Sequence, residues 1–308
     1  MSDWKEQALL LAKDGKLSWR KMAKQLGVPN STLSDFLRKS GTQVCCGQEK
    51  IKPAQRGAKI LLIDLETSPT LSYHFGRFNV NISEAGVVQE QIILSAAWKW
   101  VGGMSGSYMT SEKGVANGDD SAIAKVLNYL LDDADVVVAH NANGFDIKIA
   151  NEAFLRHNLH QPTPYKVIDT LSVVKRHFRT PRNKMESLCK RLGLVRKIDN
   201  AGMPLWVGVM NGDVEARNEM LAYNIGDIEC LEAVFNKVRG WVTGINMAQY
   251  YNDTVVRCAK CGSDDLTPTG KLHRTGVSAF ETYRCGSCGG LSRSRANQIK
   301  GKSLLMAV

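Results

Sequence analysis

The sequence contains no apolar run of membrane-spanning length and no apolar segment near its first residue of the kind that directs secretion. These absences predict a protein that neither crosses a membrane nor leaves the cytoplasm. Eight cysteines among 308 residues then favour metal ligands or free thiols over disulfides, because the cytosol is reducing. A composition that is 44% hydrophobic and 23% charged excludes a chain that is disordered throughout.

Basic residues are concentrated at the two ends of the chain. Residues 1–59 hold 12 Lys and Arg against 5 Asp and Glu, residues 253–308 hold 9 against 4, and the middle holds 19 against 21. A general charge for solubility would not be divided in this way. The distribution predicts that small nucleic-acid-binding modules flank an acidic, metal-binding core.

A pair of acids ends the first apolar strand pattern of this core. The run of residues 60–63 leads into Asp64, Leu65 and Glu66. Alternate residues of a strand point the same way, so the two carboxylates lie side by side and repel each other unless a cation separates them. Mg²⁺ or Mn²⁺ suits such oxygen ligands. The alternative is a strand end that feeds a loop, with Glu66 in solvent.

Asp146 follows a second apolar strand pattern, residues 134–139, and begins a helix. A strand's carboxyl end is the usual place for a site in an α/β sheet. The alternative is an acid that merely favours the positive end of the helix dipole. Asp169, after another short strand, is interpreted as a helix cap outside the site.

Tyr223 and Asp227 lie four residues apart on a long amphipathic helix predicted over residues 213–238, in one or two pieces. The face that they share is otherwise apolar, and a buried acid needs a partner. A metal ion held also by Asp64 and Glu66 would supply that partner. A hydrogen bond between Tyr223 and Asp227 at the surface is the alternative.

Taken together, these residues resemble the DEDD superfamily of ribonuclease H-like 3′–5′ exonucleases, which includes proofreading domains of DNA polymerases. The resemblance covers about residues 59–240. The chain resembles the tyrosine-type branch in particular, because a tyrosine and not a histidine lies four residues before the last acid. The pair His140 and Asn141 before Asp146 also resembles the pattern of the wider group of ribonuclease H-like exonucleases. The resemblance implies an α/β fold with a mixed sheet flanked by helices.

The resemblance also implies a two-metal mechanism and the role of each residue. Asp64 would bridge two Mg²⁺ or Mn²⁺ ions, Glu66 and Asp227 would complete the first, and Asp146 would hold the second. Tyr223 would position the attacking water, since a phenol with an ordinary pKa near 10 is a poor base. The expected product is a 5′ mononucleotide released from a 3′ end.

Three helices are predicted over residues 4–13, 18–26 and 31–39, with a break at residues 27–30. The positions of Ala23, Gly27, Leu33 and Phe36 resemble the helix-turn-helix family. That resemblance implies a DNA-binding second helix, with bases and phosphates contacted by Asn30, Ser31, Thr32, Ser34, Asp35, Arg38 and Lys39. A three-helix bundle that binds protein is the alternative.

A basic cluster spans residues 175–197 within a core of negative net charge. It predicts a track for a phosphate backbone, and a solvated helix face is the alternative. The candidate nucleic-acid contacts of the core are Asn141, Arg176, Arg179, Arg182 and Lys184.

Two paired-cysteine motifs lie in the basic tail, and their members are Cys258, Cys261, Cys285 and Cys288. Four thiolates at this spacing predict a small β zinc ribbon with a structural Zn²⁺, and two disulfides are the alternative. Cys45 and Cys46 are interpreted as free thiols, and Cys189 and Cys230 as core residues.

The predicted organisation is a helix-turn-helix domain at 1–40, a linker at 41–58, an exonuclease domain at 59–245 and a zinc ribbon with a basic tail at 253–308. The leading hypothesis is a metal-dependent 3′–5′ exonuclease whose partner is nucleic acid, with DNA favoured over RNA. Two alternatives are a recombinase or transposase and a non-catalytic DNA-binding regulator. A helix-turn-helix domain and a zinc ribbon attached to a nuclease are typical of phage-type proteins. If the chain is encoded by a phage, its expected location is the host cytoplasm.

Overall fold

The computed structural model describes residues 3–14, 19–39, 57–76, 78–103, 105–194 and 201–299. The chain forms two compact units, Met1–Gln55 and Arg56–Val308. Most of the predicted linker, with Cys45 and Cys46, lies outside the described residues. Within the ranges given above, no helix is both long and apolar enough to cross a membrane.

The first unit contains three packed helices. They are α1 (Asp3–Asp14), α2 (Trp19–Leu26) and α3 (Asn30–Lys39). Ala23 and Leu33 are buried between them, and the rings of Trp4 and Phe36 meet edge to face at 5.3 Å between centroids. Gly27, with φ of 65°, follows the end of α2. The helices and the turn are as predicted, and DNA contact by α3 stays a prediction.

The second unit is built on a five-stranded mixed sheet, which confirms the predicted α/β class. The strands of this part of the chain are β1 (Ile60–Thr67), β2 (Leu71–Ser72), β3 (Val87–Gln89), β4 (Ile93–Trp100), β5 (Ser105–Met109), β6 (Val136–Ala139) and β7 (Lys166–Asp169). The order in the sheet is β5-β4-β1-β6-β7. β1 runs antiparallel to β4 and parallel to β6. β2 and β3 form a separate hairpin between β1 and β4.

Helices cover both faces of this sheet. They are α4 (Glu112–Asn117), α5 (Ser121–Asp133), α6 (Asp146–Arg156), α7 (Thr170–His177), α8 (Met185–Leu192), α9 (Met203–Met210) and α10 (Val214–Val238). One apolar layer contains α7, α8 and α10, and the other contains α5 and α6. The sequence patterns did not predict α4 or α9.

The alternation along β1 decides which way its acids point. Ile60 and Leu62 pack in the layer that contains α10, whereas Leu61, Ile63 and Leu65 pack in the layer that contains α5 and α6. Side chains of a strand alternate between faces. The acids at positions 64 and 66 therefore point toward α10, on the same side as Leu62.

α10 is a single helix of 25 residues, whereas the sequence pattern was compatible with either one helix or two. It begins at a cap formed by Asp213, whose carboxylate accepts hydrogen bonds from the backbone N–H groups of Glu215 (2.8 Å) and Ala216 (3.2 Å). These bonds satisfy backbone donors that have no partner within the helix. The long helix crosses β1 and β4, so it can present residues far along the chain to the acids of β1.

A buried ionic network fixes α5 and α6 to the sheet. Asp120, fully buried before α5, accepts hydrogen bonds from the Ile93 N–H (2.8 Å), Arg156 Nη1 (2.9 Å) and His157 Nε2 (2.6 Å). Burial alone would raise the pKa of Asp120, but the Arg156 guanidinium and the Ile93 N–H hold it below its ordinary value. The network holds the end of α6, and Asp146 is the first residue of that helix.

The cysteine-containing segment forms a second, three-stranded sheet of β8 (Leu266–Arg274), β9 (Ala279–Cys285) and β10 (Leu291–Arg293). It packs against the end of α10. The Met247 N–H donates to Ala259 O at 2.9 Å, and Lys260 Nζ donates to Val242 O. A Cβ atom at Gly240 would lie 2.7 Å from Cys288 O, so this close backbone contact requires glycine.

Candidate active site

Three of the predicted acids meet between β1 and α10. One carboxylate oxygen from each of Asp64, Glu66 and Asp227 lies within 4.8 Å of the others. Asp227 is almost fully buried, and the two acids of β1 are half-buried. Three anions this close in a poorly solvated place repel one another, and a divalent cation removes the repulsion. The set consists of hard oxygen donors only, which fits Mg²⁺ or Mn²⁺.

Asp146 lies beside this group but outside it. Its Oδ1 accepts a hydrogen bond of 3.3 Å from the backbone N–H of Leu65, the residue between Asp64 and Glu66. Burial, together with the nearby charge of Asp169, raises the pKa of Asp146 to about 7, although hydrogen bonds from the backbone N–H groups of Asp146 and Leu65 act in the opposite direction. The structure therefore places the fourth predicted acid next to the strand that carries the first two.

Asn224 is a residue of this site that the sequence analysis missed. Its Nδ2 donates to Asp64 Oδ2 (2.7 Å) and to Asp64 O (3.2 Å), and its Oδ1 accepts from Ser95 Oγ (3.1 Å). The amide is fully buried, and these bonds use both of its ends. It fixes the orientation of the Asp64 carboxylate. The signal was a polar residue three positions before Asp227 on an apolar helix face.

Tyr223 is buried, with its ring edge-on to the ring of Trp206 at 6.3 Å between centroids. Trp206 lies on α9 and donates from Nε1 to Thr67 O at 3.1 Å. Thr67 directly follows Glu66, so this bond attaches α9 to the acidic end of β1. Since Tyr223 and Asp227 are both buried, the alternative that they form a surface pair is wrong.

The loop before Asp146 is held by side chains of α7 and its neighbours. His140 Nδ1 lies 2.9 Å from Thr170 Oγ1, and its Nε2 lies 2.8 Å from Asn183 O. Asn141 has φ of 74° and donates its N–H to Asp169 Oδ1 at 3.0 Å. The same Oδ1 accepts from the Leu171 N–H at the start of α7. Asp169 is thus the helix cap that was predicted, and it also orders the loop.

The predicted nucleic-acid contacts of the core lie at the surface. Arg176, Arg179, Arg182, Lys184 and Asn141 are exposed. Arg176 Nη1 donates to Thr243 Oγ1 at 3.2 Å, beside a cavity of about 520 Å³ whose walls include Asn143 and Lys175. That these residues bind nucleic acid stays a prediction.

In the first unit, Ser31 and Thr32 on α3 are exposed, as a helix that contacts DNA bases requires. The side chains of Asn30, Ser34, Arg38 and Lys39 lie outside the described part of the structure. The roles assigned to all of these residues stay predictions.

The four tail cysteines converge on one point. Cys258 and Cys288 have Sγ atoms 3.7 Å apart, those of Cys261 and Cys285 are 3.6 Å apart, and all four lie within 4.8 Å of one another. A disulfide needs about 2.05 Å, so these pairs are not bonded. Tetrahedral Zn–S bonds of about 2.3 Å separate the sulfurs by roughly 3.8 Å. The four thiols therefore fit a zinc ion.

Comparison with known proteins gives one family match. The RNase_T family model, described as exonuclease, matches residues 111–197, a segment that contains Asp146 but not the acids of β1 or α10. The match supports a nuclease activity on nucleic acid. No curated protein matches the chain. A family B DNA polymerase from the hyperthermophilic archaeon Pyrobaculum calidifontis has a similar structure at 13% identity and a TM-score of 0.44, over 64% of this chain and 27% of the polymerase chain.

Proposed function

We propose that this chain is a metal-dependent 3′–5′ exonuclease of the tyrosine-type DEDD branch, acting on DNA in preference to RNA. The observation that carries the proposal is the convergence of Asp64, Glu66 and Asp227, with oxygens within 4.8 Å, beside the buried Asp146. The exonuclease family match to residues 111–197 supports it, because that segment supplies Asp146.

Asp64, Glu66 and Asp227 would hold one Mg²⁺ or Mn²⁺, and Asp64 with Asp146 would hold a second. The two ions, when bound, acidify the attacking water and stabilise charge on the leaving oxygen. Asn224 keeps the Asp64 carboxylate in one orientation through its 2.7 Å bond. Because Asp64 would belong to both sets of ligands, its orientation would affect the binding of each ion.

Tyr223 orients the attacking water and does not remove its proton, since an ordinary phenol stays protonated at neutral pH. The oxygen of this water forms a bond to phosphorus while the bond from phosphorus to the 3′ oxygen of the preceding nucleotide breaks. The proton that the water loses passes to solvent, the 3′ oxygen takes a proton from solvent and leaves as a hydroxyl, and the released product is a 5′ mononucleotide. The shortened strand keeps a 3′ hydroxyl and is a substrate for the next cycle.

The flanking modules would recruit the nuclease to its substrate. The exposed Ser31 and Thr32 of α3 and the basic cysteine module at the other end suit contact with DNA bases and phosphates. Arg176, Arg179, Arg182 and Lys184 would guide the strand across the core.

The test is degradation of end-labelled oligonucleotides with Mg²⁺. A strand labelled at its 5′ end should give a ladder of shortening products, whereas a strand labelled at its 3′ end should release labelled mononucleotide at once. Asp64→Ala should abolish both. Glu219→Gln, which changes an exposed acid elsewhere on α10, should cleave like the wild type. Activity that survives Asp64→Ala would refute the proposal.

A further inference from the structure

The hairpin that follows β1 carries an unusual set of exposed aromatic rings. Tyr73 is 81% exposed, Phe78 is 87% exposed, and Phe75 is exposed as fully as in an extended peptide. Leu71, Val80 and Ile82 nearby are exposed as well. Large apolar side chains clustered at a surface mark an interaction site far more often than single exposed ones do.

The base of the hairpin is a well-defined structure. β2 and β3 pair antiparallel, with Leu71 opposite Gln89, and the Tyr73 N–H donates to Gly86 O at 2.8 Å. Gln89 Nε2 also donates to Val115 O at 3.1 Å, which attaches the second strand to α4. The aromatic rings therefore project from a hydrogen-bonded scaffold.

This scaffold is fixed to the end of β1 that carries the acids. The Ser68 N–H donates to Ile92 O (2.8 Å), and the Ile92 N–H donates to Ser68 Oγ (3.0 Å). Gln91 Nε2 donates to Thr67 Oγ1 at 2.8 Å. Thr67 is the residue after Glu66. The base of the hairpin therefore lies next to the segment of β1 that carries Glu66, so a nucleic-acid strand bound at the acids can extend along it.

The hairpin forms a groove of about 750 Å³ that is open to solvent and lined by its own residues between Tyr73 and Gly86. Its walls combine the three aromatic rings with polar side chains that can both donate and accept hydrogen bonds, namely His74, Asn79, Asn81 and Ser83. Aromatic faces with hydrogen-bonding groups beside them are what proteins use to hold unstacked bases of single strands.

We infer that this aromatic hairpin binds unpaired bases of the strand being degraded, and that it makes single-stranded or frayed 3′ ends the preferred substrate. The inference rests on the proposed function for the identity of the occupant. Stacking on Tyr73, Phe75 and Phe78 holds the strand without reading its sequence, because every base has an aromatic face. A blunt duplex has no free bases to offer and gains nothing from the hairpin.

The test is the affinity for a fluorescein-labelled oligothymidylate, measured by anisotropy with Ca²⁺ in place of Mg²⁺. Replacing Tyr73, Phe75 and Phe78 together by Ala should raise Kd about tenfold or more, as expected for the loss of at least one base stack. Replacing the same three by Leu, which keeps them apolar but not planar, should weaken binding similarly. Tyr129→Ala, an exposed aromatic on α5, is the matched control and should bind like the wild type.

The outcomes separate this inference from the proposed function. A Kd that changes less than twofold in the Ala variant would overturn the inference, and so would full affinity in the Leu variant, which would show that the contact needs apolar area and not a planar ring. An equal loss of affinity for blunt duplex and for single strand would also contradict it. Hydrolysis of the para-nitrophenyl ester of thymidine monophosphate by the wild type tests the acids separately, since this substrate has no neighbouring base.

Discussion

Asn224 donates a hydrogen bond of 2.7 Å to the carboxylate of Asp64, across 160 positions of sequence. A neutral amide therefore orients the acid that is proposed to hold both metal ions. An amide holds the carboxylate without lowering the negative charge that a metal requires.

Removing this amide should weaken the binding of Mg²⁺ and thereby lower the nuclease activity. Asn224→Ala should raise the Mg²⁺ concentration that gives half-maximal nuclease activity by about 10- to 100-fold, the usual cost of losing a group that orients a metal ligand. Titration of activity with Mg²⁺ measures this. Asn218→Ala, at an exposed position on the same helix, is the control. A lower maximal rate with an unchanged Mg²⁺ requirement would argue against the orienting role.

Asp146 should make the metal-free protein less stable as the pH rises. Its pKa in the fold is about 7 against an ordinary 3.8, so the folded state holds a proton that the unfolded state has lost. The stability that this proton confers is complete below pH 3.8 and is lost as the pH rises through 7. Asp146→Asn should therefore melt above the wild type at pH 8 without Mg²⁺ or Mn²⁺, and near it at pH 4.

The same pair of proteins gives a second readout. Adding Mn²⁺ at pH 8 should raise the Tm of the wild type, because the cation replaces the proton beside the carboxylate, and should raise that of Asp146→Asn much less. Equal Mn²⁺ stabilisation of both proteins would mean that Asp146 does not hold a metal.

The ionic network at Asp120 should be a major source of stability. Asp120→Asn removes the charge that pairs with Arg156, which is partly exposed and keeps Glu152 as a partner, so we expect a loss of about 1–3 kcal/mol. Because the pKa of Asp120 is held below its ordinary 3.8, the stability contributed by this group is present above pH 3.8 and is lost as the pH falls through the lowered pKa. Urea unfolding at pH 7, with Glu112→Gln as a surface control, measures the loss.

The cysteine module should bind one zinc ion per chain. Cys285→Ser should lose the zinc and lower the Tm of the second unit, since the module packs on Gly240 and Val242 at the end of α10. Zinc content after dialysis, measured by atomic absorption, gives the stoichiometry. Arg295→Ala, also in the basic tail, should keep the metal. A wild-type protein that holds no zinc after dialysis, and that has the same Tm as Cys285→Ser, would contradict the assignment.

Local patterns were sufficient to predict most elements, because helix and strand periods are set by neighbours in the sequence. The alternation of side chains along β1 was also sufficient to predict that Asp64 and Glu66 point the same way. α9 was missed, since residues 203–210 are apolar on nearly every side and show no period. The bond from Asn224 to Asp64 and the exposure of Phe75 were also missed. Both depend on which segments meet in three dimensions, and no local pattern contains that information.

Leu65 separates the two acids of β1, sends its side chain into the opposite apolar layer and donates its N–H to Asp146. Deleting or inserting one residue upstream in this strand would exchange the two sides of the sheet, putting carboxylates among leucines and leucines in the cation site. Chemistry and folding thus depend on one shared register. A change in the length of this strand should therefore abolish folding and metal binding together.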